Sequence, residues 1–567
     1  MLDLNVYRVA FAPLAAALVI LAFSLDGAPE PVDPGPVTAT FDSAAAAATA
    51  RQLARQLPDR SPGSDGDLAA ADLVEERFAQ IPAGRVLEQN FTAEVGGEDR
   101  ELRNVVLVLP GATDEAVLVI AGRDARVGPG TASSAAATGV LTELAVALGA
   151  SERERTLILA STDGASEGAA GAHELLRALP ERFTPQAAVV IAQPGAAPSP
   201  PHVLAGSTGA ERPPARLIAT AAAMVEAQAG ADPGLGAALG QLARLALPAS
   251  LGEGAALTAD GLGAVTISAA GELPLDPALD TREHLDEESI DNFGRAALAT
   301  VQALASVPDA GAGGPSAYLR AGDNIVPGWA LGLIALALLI PPGALALTAL
   351  ARAARDGTAQ TALAWTAAWV APALAALAAL YLLTLVGLVP TPSFPFDPAT
   401  LTIGVDEALA LLFLCAVAAA AALFGPGLHL PQGPTRETLA AAAGAVAVGA
   451  ALVAWLANPF LALLLAPLTH LVAVHALRAP LSQLAVAALA LLAAIPFAAA
   501  LLHVASALGW GLDAPWELAV LTASGQIGVV EAAATLALLG ATLASVLAAA
   551  RRPQARGARV SREPRGF

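Results

Sequence analysis

Two patterns of apolar residues divide the chain near Val326. Before this residue, short apolar runs such as residues 116–121 and 156–160 alternate with longer stretches in which apolar residues recur at helical spacing. After it, the apolar stretches are long enough to cross a bilayer, and short polar loops separate them. The pattern therefore predicts an α/β unit followed by a bundle of membrane helices.

The α/β unit is predicted to contain a largely parallel sheet covered by helices, because strand-like and helix-like stretches alternate along it. The predicted strands are residues 104–109, 116–121, 156–160, 187–192 and 264–268, and the predicted helices include residues 41–57, 68–81 and 288–306. Ligands of open α/β sheets bind at the carboxyl ends of the strands. A site is therefore expected in the loops at residues 122–137 and 163–171.

Eight membrane spans are predicted, one before the α/β unit and seven after it. The first, residues 6–25, is interpreted as a retained anchor, and a cleaved signal peptide is the alternative. The other spans are residues 329–350, 362–388, 408–424, 439–456, 460–477, 481–505 and 518–549. A hydrophobic content of 55% and a mean hydropathy of +0.60 agree with a chain that is partly embedded in a membrane.

The placement of arginine predicts the orientation of the bundle. After Val326, Arg occurs only in alternate loops and in the C-terminal tail, whereas the intervening loops carry acidic residues. The positive-inside rule then puts both termini in the cytoplasm and the α/β domain outside the cell membrane. The resulting domains are an anchor at 1–28, a Pro-rich spacer at 29–37, an extracytoplasmic domain at 38–308, a linker at 309–326, a membrane domain of about seven helices at 327–550 and a basic cytoplasmic tail at 551–567.

Charge and cysteine content exclude several functions. The 567-residue chain has a formal net charge of −20, of which the part before Val326 contributes −21 and the remainder +1. An acidic soluble half argues against nucleic-acid binding, which needs a basic surface. The single cysteine, Cys415, excludes a disulfide framework and a zinc site made of thiolates.

Several motifs follow one another between residues 53 and 305. Residues 60–64 (Arg-Ser-Pro-Gly-Ser) precede a helix, residues 89–91 (Gln-Asn-Phe) and 103–106 (Arg-Asn-Val-Val) lead into the sheet, and Asp-containing loops follow the next strands. In order and spacing they resemble the zinc aminopeptidases of metallopeptidase family 28, relatives of glutamate carboxypeptidase and of the transferrin-receptor ectodomain. The resemblance implies a zinc-exopeptidase-like, three-layer α/β sandwich, carried here on an all-α multi-pass transmembrane bundle.

The resemblance also implies where a two-zinc site would lie, and this chain lacks its ligands. The family's H-x-D loop supplies a zinc-binding His where this chain has Gly122, and its bridging Asp falls in residues 133–139, which hold no carboxylate. The two glutamates of its D-G-E-E-x-G loop correspond to residues 165–166 (Ala-Ser). A further Asp falls near residues 192–193, and a late His falls on Asp276. We therefore expect no catalytic residue, no bound metal and no cofactor.

What remains of the site is interpreted as a relict pocket. The residues that could line it are Asp124, Ser133, Ser134, Asp163, Ser166, Glu167 and Asp276. The alternative for the acidic members is that they cap helices and accept hydrogen bonds from loop amides. For Arg123 and Arg126, the alternatives are binding of an anionic ligand and pairing with neighbouring acids.

Two polar residues, Gln526 and Glu531, stand out in the last predicted span. An acid inside a membrane is costly and is therefore a functional candidate. This span is longer than a bilayer requires, so the alternative position for Glu531 is the outer interface.

The sequence thus predicts a multi-pass membrane protein that displays a peptidase-like domain in a non-catalytic binding or scaffold role. Its expected partners are the lipid bilayer and an extracytoplasmic protein or peptide. One alternative is a membrane-bound zinc aminopeptidase with an atypical site, and a second is a transporter-like bundle with an accessory domain. The order of anchor, peptidase-like domain and spans is similar to that of the attachment subunit of GPI transamidase, an analogy of architecture alone.

Overall fold

The computed structural model describes residues 4–33, 39–196, 200–230, 232–307, 314–396, 400–424, 431–477 and 481–550. The predicted basic tail at 551–567, Arg478, residues 34–37 of the spacer and residues 309–313 of the linker lie outside the described residues.

The described chain contains both strands and helices in its first half and helices in its second. The strands are β1 (Asp26–Gly27), β2 (Arg85–Val95), β3 (Glu98–Leu109), β4 (Thr113–Gly122), β5 (Arg155–Thr162), β6 (Thr184–Ala192), β7 (His202–Leu204), β8 (Ala264–Ser268), β9 (Tyr318–Ala321) and β10 (Asn324–Pro327). The helices of the first half are α1 (Leu4–Val9), α2 (Ala12–Phe23), α3 (Ser43–Gln56), α4 (Asp65–Ala79), α5 (Ala136–Gly149), α6 (Ala170–Arg177), α7 (Ala215–Ala229), α8 (Ala238–Ala246), α9 (Glu253–Ala259) and α10 (Glu287–Ser306). Those of the second half are α11 (Gly328–Arg355), α12 (Ala359–Leu385), α13 (Val405–Phe424), α14 (Arg436–Ala457), α15 (Pro459–Leu477), α16 (Gln483–Ala507), α17 (Ala514–Ala523) and α18 (Val529–Ala548).

A seven-stranded sheet forms the middle of the N-terminal domain, in the order β2-β3-β5-β4-β6-β8-β7. The central strands β5, β4, β6 and β8 are parallel, as the alternation of strands and helices predicts. Strands β2 and β3 on one edge and β7 on the other pair antiparallel. The expectation of a mostly parallel sheet is therefore corrected to a mixed sheet.

Strand β2 escapes sequence-based prediction because most of its side chains are exposed or only half-buried, so it has no apolar run. The two-residue turn that joins it to β3 consists of Gly96 and Gly97, whose φ angles are 60° and 88°. Two consecutive residues with positive φ fit the turn that closes a two-residue hairpin. The Gly-Gly pair is the signal that could have identified this strand.

Each face of the sheet packs against helices, which gives the domain three layers. Side chains alternate along β4, so that Val117, Val119 and Ala121 lie in a core with α3, α4, α5, α7 and α10. On the opposite face, Leu118 and Ile120 pack in a second core with α6 and α9.

Seven helices of the described chain are long and apolar enough to span a membrane. Six of them follow the domain and are α11, α12, α13, α14, α16 and α18. The seventh, Thr131–Gly149, consists of a short π-helix (Thr131–Ala135) and α5, which follows it directly. It lies in the core of the sandwich, where its apolar residues are buried against the sheet. Two shorter apolar helices, Tyr7–Phe23 and Pro459–Leu471, match further predicted spans. The predicted first span is two helices, α1 and α2, with Pro13 in the first turn of α2.

The predicted span at residues 518–549 is wrong, because the chain forms α17 and α18 there with a turn between them. Gly525 has a φ of 83° in this turn, which a continuous helix cannot accommodate. The amide Nε2 of Gln526 in the same turn donates to the carbonyl oxygen of Thr208, at 2.6 Å. Glu531 lies in the first turn of α18. Gln526 therefore lies beside the N-terminal domain, and Glu531 lies at a helix end, which favours the interface alternative for Glu531.

Polar contacts around α8 join the two halves of the chain. Asn458 lies between α14 and α15, and its Nδ2 donates to the carbonyl oxygens of Leu245 (3.0 Å) and Ala246 (3.3 Å). Its Oδ1 accepts from the N–H groups of Phe460 and Leu461, which caps α15. Strands β1, β10 and β9 form a small antiparallel sheet that ties the segment after α2 to the segment before α11. The domain thus rests on one end of the helical bundle.

Candidate functional site

A cavity of about 560 Å³ opens at the carboxyl ends of the parallel strands, in the region where the sequence predicts a site. Its polar lining comes from the loops that follow β4, β5, β6 and β8. Its apolar lining includes Val190, Ile191, Leu275 and Phe396. A concave volume of this size, with mixed polar and apolar walls, is typical of a ligand-binding site.

The positions that the family resemblance assigns to zinc ligands come together in this cavity. Those that line it are Gly122, Ser133, Ser134, Ala165, Ser166, Ala192, Gln193 and Asp276, which belong to four separate loops. Of the predicted pocket residues, Asp124, Ser133, Ser134, Ser166 and Asp276 line the cavity. Asp163 and Glu167 do not line it and have other partners.

The backbone at Gly122 leaves no room for a side chain. A Cβ atom at this position would lie 2.5 Å from the Cβ of Ala165 and 3.4 Å from Oε2 of Glu253. The first distance is well inside van der Waals contact. Two small residues therefore pack directly against each other at the positions where the family has a His and a Glu.

Two buried carboxylates hold the loops around the cavity. Asp124 accepts from the N–H of Ala165 at 2.8 Å and from the hydroxyl of Ser166 at 2.7 Å. Burial raises the pKa of Asp124, and these hydrogen bonds oppose the rise. Asp280, which sequence reasoning missed, accepts from both the N–H and the hydroxyl of Ser133. Asp124 therefore acts on loop amides, as the alternative interpretation expects.

Beneath the cavity, Arg123 is fully buried and pairs with two carboxylates. Its Nη2 lies 2.6 Å from Oδ2 of Asp67 and 3.3 Å from Oδ2 of Asp163, and its Nη1 donates to the carbonyl oxygen of Ser161. Burial lowers the pKa of Arg123, but the two carboxylates outweigh this and raise it above its ordinary value. Burial raises the pKa of Asp67 well above its ordinary value. Of the two alternatives for Arg123, the structure therefore shows pairing with acids.

A segment of the C-terminal helical bundle closes one side of the cavity. Phe396, which follows α12, forms an antiparallel bridge with Glu167, and the N–H of Gly168 donates to the carbonyl oxygen of Pro395 at 3.1 Å. Pro395 and Phe396 both line the cavity. The buried Phe396 ring also belongs to a core formed with α12, α13 and α17. One side chain therefore contacts both the cavity and the C-terminal helical bundle. Arg126 lines the cavity as well, with its Nη1 3.7 Å from Oε1 of Glu167.

Unusual backbone conformations occur in the loops of this site. Gln193, which lines the cavity, has a φ of 52°, and Ala169 in the loop after β5 has a φ of 55°. Both values are left-handed and unfavourable for residues with a side chain. The π-helix Thr131–Ala135 carries Ser133 and Ser134 into the cavity. Such features are concentrated at functional sites.

Glu253 is an acidic lining residue that sequence reasoning missed. It begins α9, is only 4% exposed, and its Oε1 has no hydrogen-bond partner among the described residues. Burial raises the pKa of Glu253 to about 7, although a hydrogen bond with the Thr162 side chain opposes the rise. The sequence carries no signal for it, because Gly252 and Gly254 on either side are typical of an exposed loop.

The residues of the cavity do not fit a zinc centre. Within the described ranges, no group of three or more His, Cys, Asp or Glu side chains is arranged to hold a metal ion. No His is among the described residues that line the cavity. Zinc sites in proteins need several nitrogen, sulfur or oxygen ligands in a closed geometry.

Comparisons with known proteins identify neighbours at the level of fold. No protein-family model and no curated protein sequence matches the chain. Among solved structures, the chain is similar to the LapA aminopeptidase of Legionella pneumophila, with 16% identity and a TM-score of 0.38 over 47% of this chain and 72% of that one.

Two further similar structures have the same character. Porphyromonas gingivalis glutaminyl cyclase has 16% identity and a TM-score of 0.35, over 46% of this chain and 98% of that one. A leucine aminopeptidase precursor from Bacteroides thetaiotaomicron has 12% identity and a TM-score of 0.36, over 47% and 98%. The similar structures are thus aminopeptidases and glutaminyl cyclases of the zinc-exopeptidase fold. Each of these TM-scores is below 0.5.

The contact between Gly122 and Ala165 predicts a specific stability pattern. Gly122→Ala should destabilise the domain by about 1–3 kcal/mol, because the added methyl overpacks against Ala165. Adding Ala165→Gly should recover most of this loss, with Ala165→Gly alone as the control. Hydrogen exchange of β4 and β5 measures the effect inside the domain. Equal destabilisation in the single and double variants would contradict the direct contact.

The contact between Gly168 and the segment that contains Ser393 predicts how a substitution changes limited proteolysis. A Cβ at Gly168, where φ is 65°, would lie 2.6 Å from the Cβ of Ser393. Gly168→Ala should therefore displace this segment and speed its limited proteolysis. Gly96→Ala is the matched control. Its φ of 60° carries a similar backbone cost, but no atom lies within 4 Å of the position that a Cβ on Gly96 would take. Equal proteolysis rates in the two variants would show that the segment is not held at Gly168.

Proposed function

We propose that this chain is a multi-pass membrane protein whose extracytoplasmic, peptidase-like domain binds a ligand and does not cleave it. The observation that carries this proposal is the contact of Gly122 with Ala165. In the family that the sequence resembles, a zinc-binding His and a general-base Glu occupy these two positions. Here the backbone of Gly122 and the methyl group of Ala165 fill that place. Metal-assisted hydrolysis needs an activated water and a base to take its proton. Among the described residues that line the cavity, no group of side chains is arranged to hold a metal ion that could activate this water.

A binding role is supported by what the cavity retains. Its volume, its strained loops and its mixed lining are features of ligand sites. The wall formed by Pro395 and Phe396 makes the membrane domain part of the cavity, which suits a protein that presents a bound partner at the membrane surface. An extracytoplasmic protein or peptide is the proposed partner, and no zinc or other cofactor is required.

The orientation of the domain is part of the same proposal. Arg352 and Arg355 end α11, and Arg436 begins α14. The opposite end of α14 adjoins Asn458, which contacts Leu245 of the domain. These arginines are therefore at the helix ends far from the domain, which supports a cytoplasmic position for them and an outer position for the domain.

The proposal predicts that the purified full-length protein holds no stoichiometric zinc and does not hydrolyse aminoacyl reporter substrates. Elemental analysis and a hydrolysis assay with added zinc, on the same preparation, measure both properties. A zinc peptidase of known activity is the control for the assay. One or more tightly held zinc ions together with chelator-sensitive hydrolysis would overturn the proposal and establish the enzyme alternative.

The orientation can be tested with single cysteines in a Cys415→Ala background. A membrane-impermeant thiol reagent applied to intact cells should label cysteines at Ser316 and Asp513, which are predicted to be outside. It should label those at Asp356 and Gln432 only after the cells are permeabilised. Labelling of the Gln432 position in intact cells would contradict the proposed number of spans.

A further inference from the structure

The acidic residues of the cavity differ in how their oxygens are satisfied. The described residues that line it include one basic residue, Arg126, and five acidic residues, which are Asp124, Glu253, Glu272, Asp276 and Asp280. Asp124 and Asp280 accept hydrogen bonds from loop amides, as described above. Glu272 pairs with Arg244, and Asp276 accepts from the N–H of Ala278. Glu253 differs, because its buried Oε1 lacks a partner among the described residues.

The carboxyl group of Glu253 lies at the cavity wall beside Gly122 and Asp124. Its Oε2 lies 3.4 Å, and Oδ1 of Asp124 lies 3.9 Å, from the point where a Cβ of Gly122 would be. Two carboxyl groups therefore lie close to each other at the cavity wall beside Gly122. A buried oxygen without a partner is costly unless another group satisfies it. The apolar lining of the same cavity, which includes Leu275 and Phe396, can cover an alkyl chain.

We propose that Glu253 is the recognition group of this cavity and that it binds the ammonium group of an alkylammonium ligand, the class to which a lysine side chain belongs. This inference rests on the proposed binding function. An ammonium group carries three donors and a positive charge, so it satisfies the free oxygen of Glu253 and complements the excess of acidic residues. A ligand with a carboxylate would add to that excess, since Arg126 already lies near Glu167.

Binding should also depend on pH, with affinity rising as Glu253 ionises. Because burial raises the pKa of Glu253 to about 7, the carboxyl group is largely protonated at pH 6 and largely ionised at pH 8. An alkylammonium ion stays charged over this range. Only the ionised fraction of Glu253 binds it well, so the affinity should be about tenfold higher at pH 8 than at pH 6.

Other ionisable groups around Glu253 are few. Helix α9 packs against α6, β6 and β8, and the two strands carry no ionisable side chain. Asp124 is the charged group that faces Glu253 in the cavity. On α6, Glu174 and Arg177 pair with each other. His173 of α6 pairs with Asp260 at the far end of α9.

Calorimetric titration of the full-length protein in nanodiscs tests the inference with three probes that share one six-carbon chain. The probes are hexylammonium, hexanoate and hexanol, each measured at pH 6, 7 and 8. Wild-type protein should bind hexylammonium alone, about tenfold more tightly at pH 8 than at pH 6. Glu253→Gln should weaken this binding at least tenfold and remove its pH dependence. Glu226→Gln, an equal charge change on the exposed surface of α7, should leave both unchanged.

Every other result contradicts one part of this inference: the ligand class, the role of Glu253 or the existence of the binding site. Binding of hexanoate or hexanol in preference to hexylammonium overturns the ligand class and leaves the cavity a binding site. If Glu253→Gln binds hexylammonium as tightly as the wild type, or keeps the same pH dependence, the role of Glu253 is overturned. Binding of none of the probes overturns the inference as a whole. Zinc content and hydrolysis, measured on the same preparation, separately decide the proposed function.

Discussion

The geometry of the cavity depends on the buried ion pairs of Arg123 with Asp67 and Asp163. Removing one partner of such a group leaves an uncompensated buried charge and typically costs about 3–5 kcal/mol. Asp67 lies on α4, and Asp163 directly follows β5. The guanidinium of Arg123 therefore fastens the loop after β4 to a helix and to the neighbouring strand from below. Because Gly122 and Asp124 are its immediate neighbours, this attachment fixes both of them at the cavity wall above.

From this attachment a continuous series of contacts leads to the membrane helices. Asp124 holds the N–H groups of Ala165 and Ser166, and the next residues along the same loop pair with Pro395 and Phe396. Phe396 in turn packs with α12, α13 and α17. Contiguity of this kind is a physical route for coupling only if the elements along it have two arrangements.

The strands of the parallel centre were predictable from the sequence, because each is a fully apolar run between polar loops, as in β4 and β5. The edge strand β2 was not, since its pattern reflects partial exposure and its only clear signal is the Gly-Gly turn. The order of the motifs predicted that Gly122, Ser166 and Asp276 lie near one another, and all three line one cavity. Glu253 could not be found in this way, because its burial arises from the packing of α9 on the sheet. The break between α17 and α18 was missed because a single glycine, Gly525, is a weak signal within a stretch that is otherwise largely apolar.

The charges around the cavity show why its acidity does not require a metal ion. Loop amides satisfy Asp124 and Asp280, Arg123 neutralises the buried pair below, and Arg244 pairs with Glu272. Oε1 of Glu253 has no hydrogen-bond partner among the described residues, and burial favours the protonated form of this carboxyl group more strongly than a hydrogen bond with the Thr162 side chain opposes it. A buried carboxyl group is stable in its neutral form at low pH. Ionising it in the buried position costs free energy, because the charge has lost its hydration. The arriving positive charge of an ammonium group would offset that cost, which is why Glu253, rather than its more numerous acidic neighbours, carries the specificity of the site.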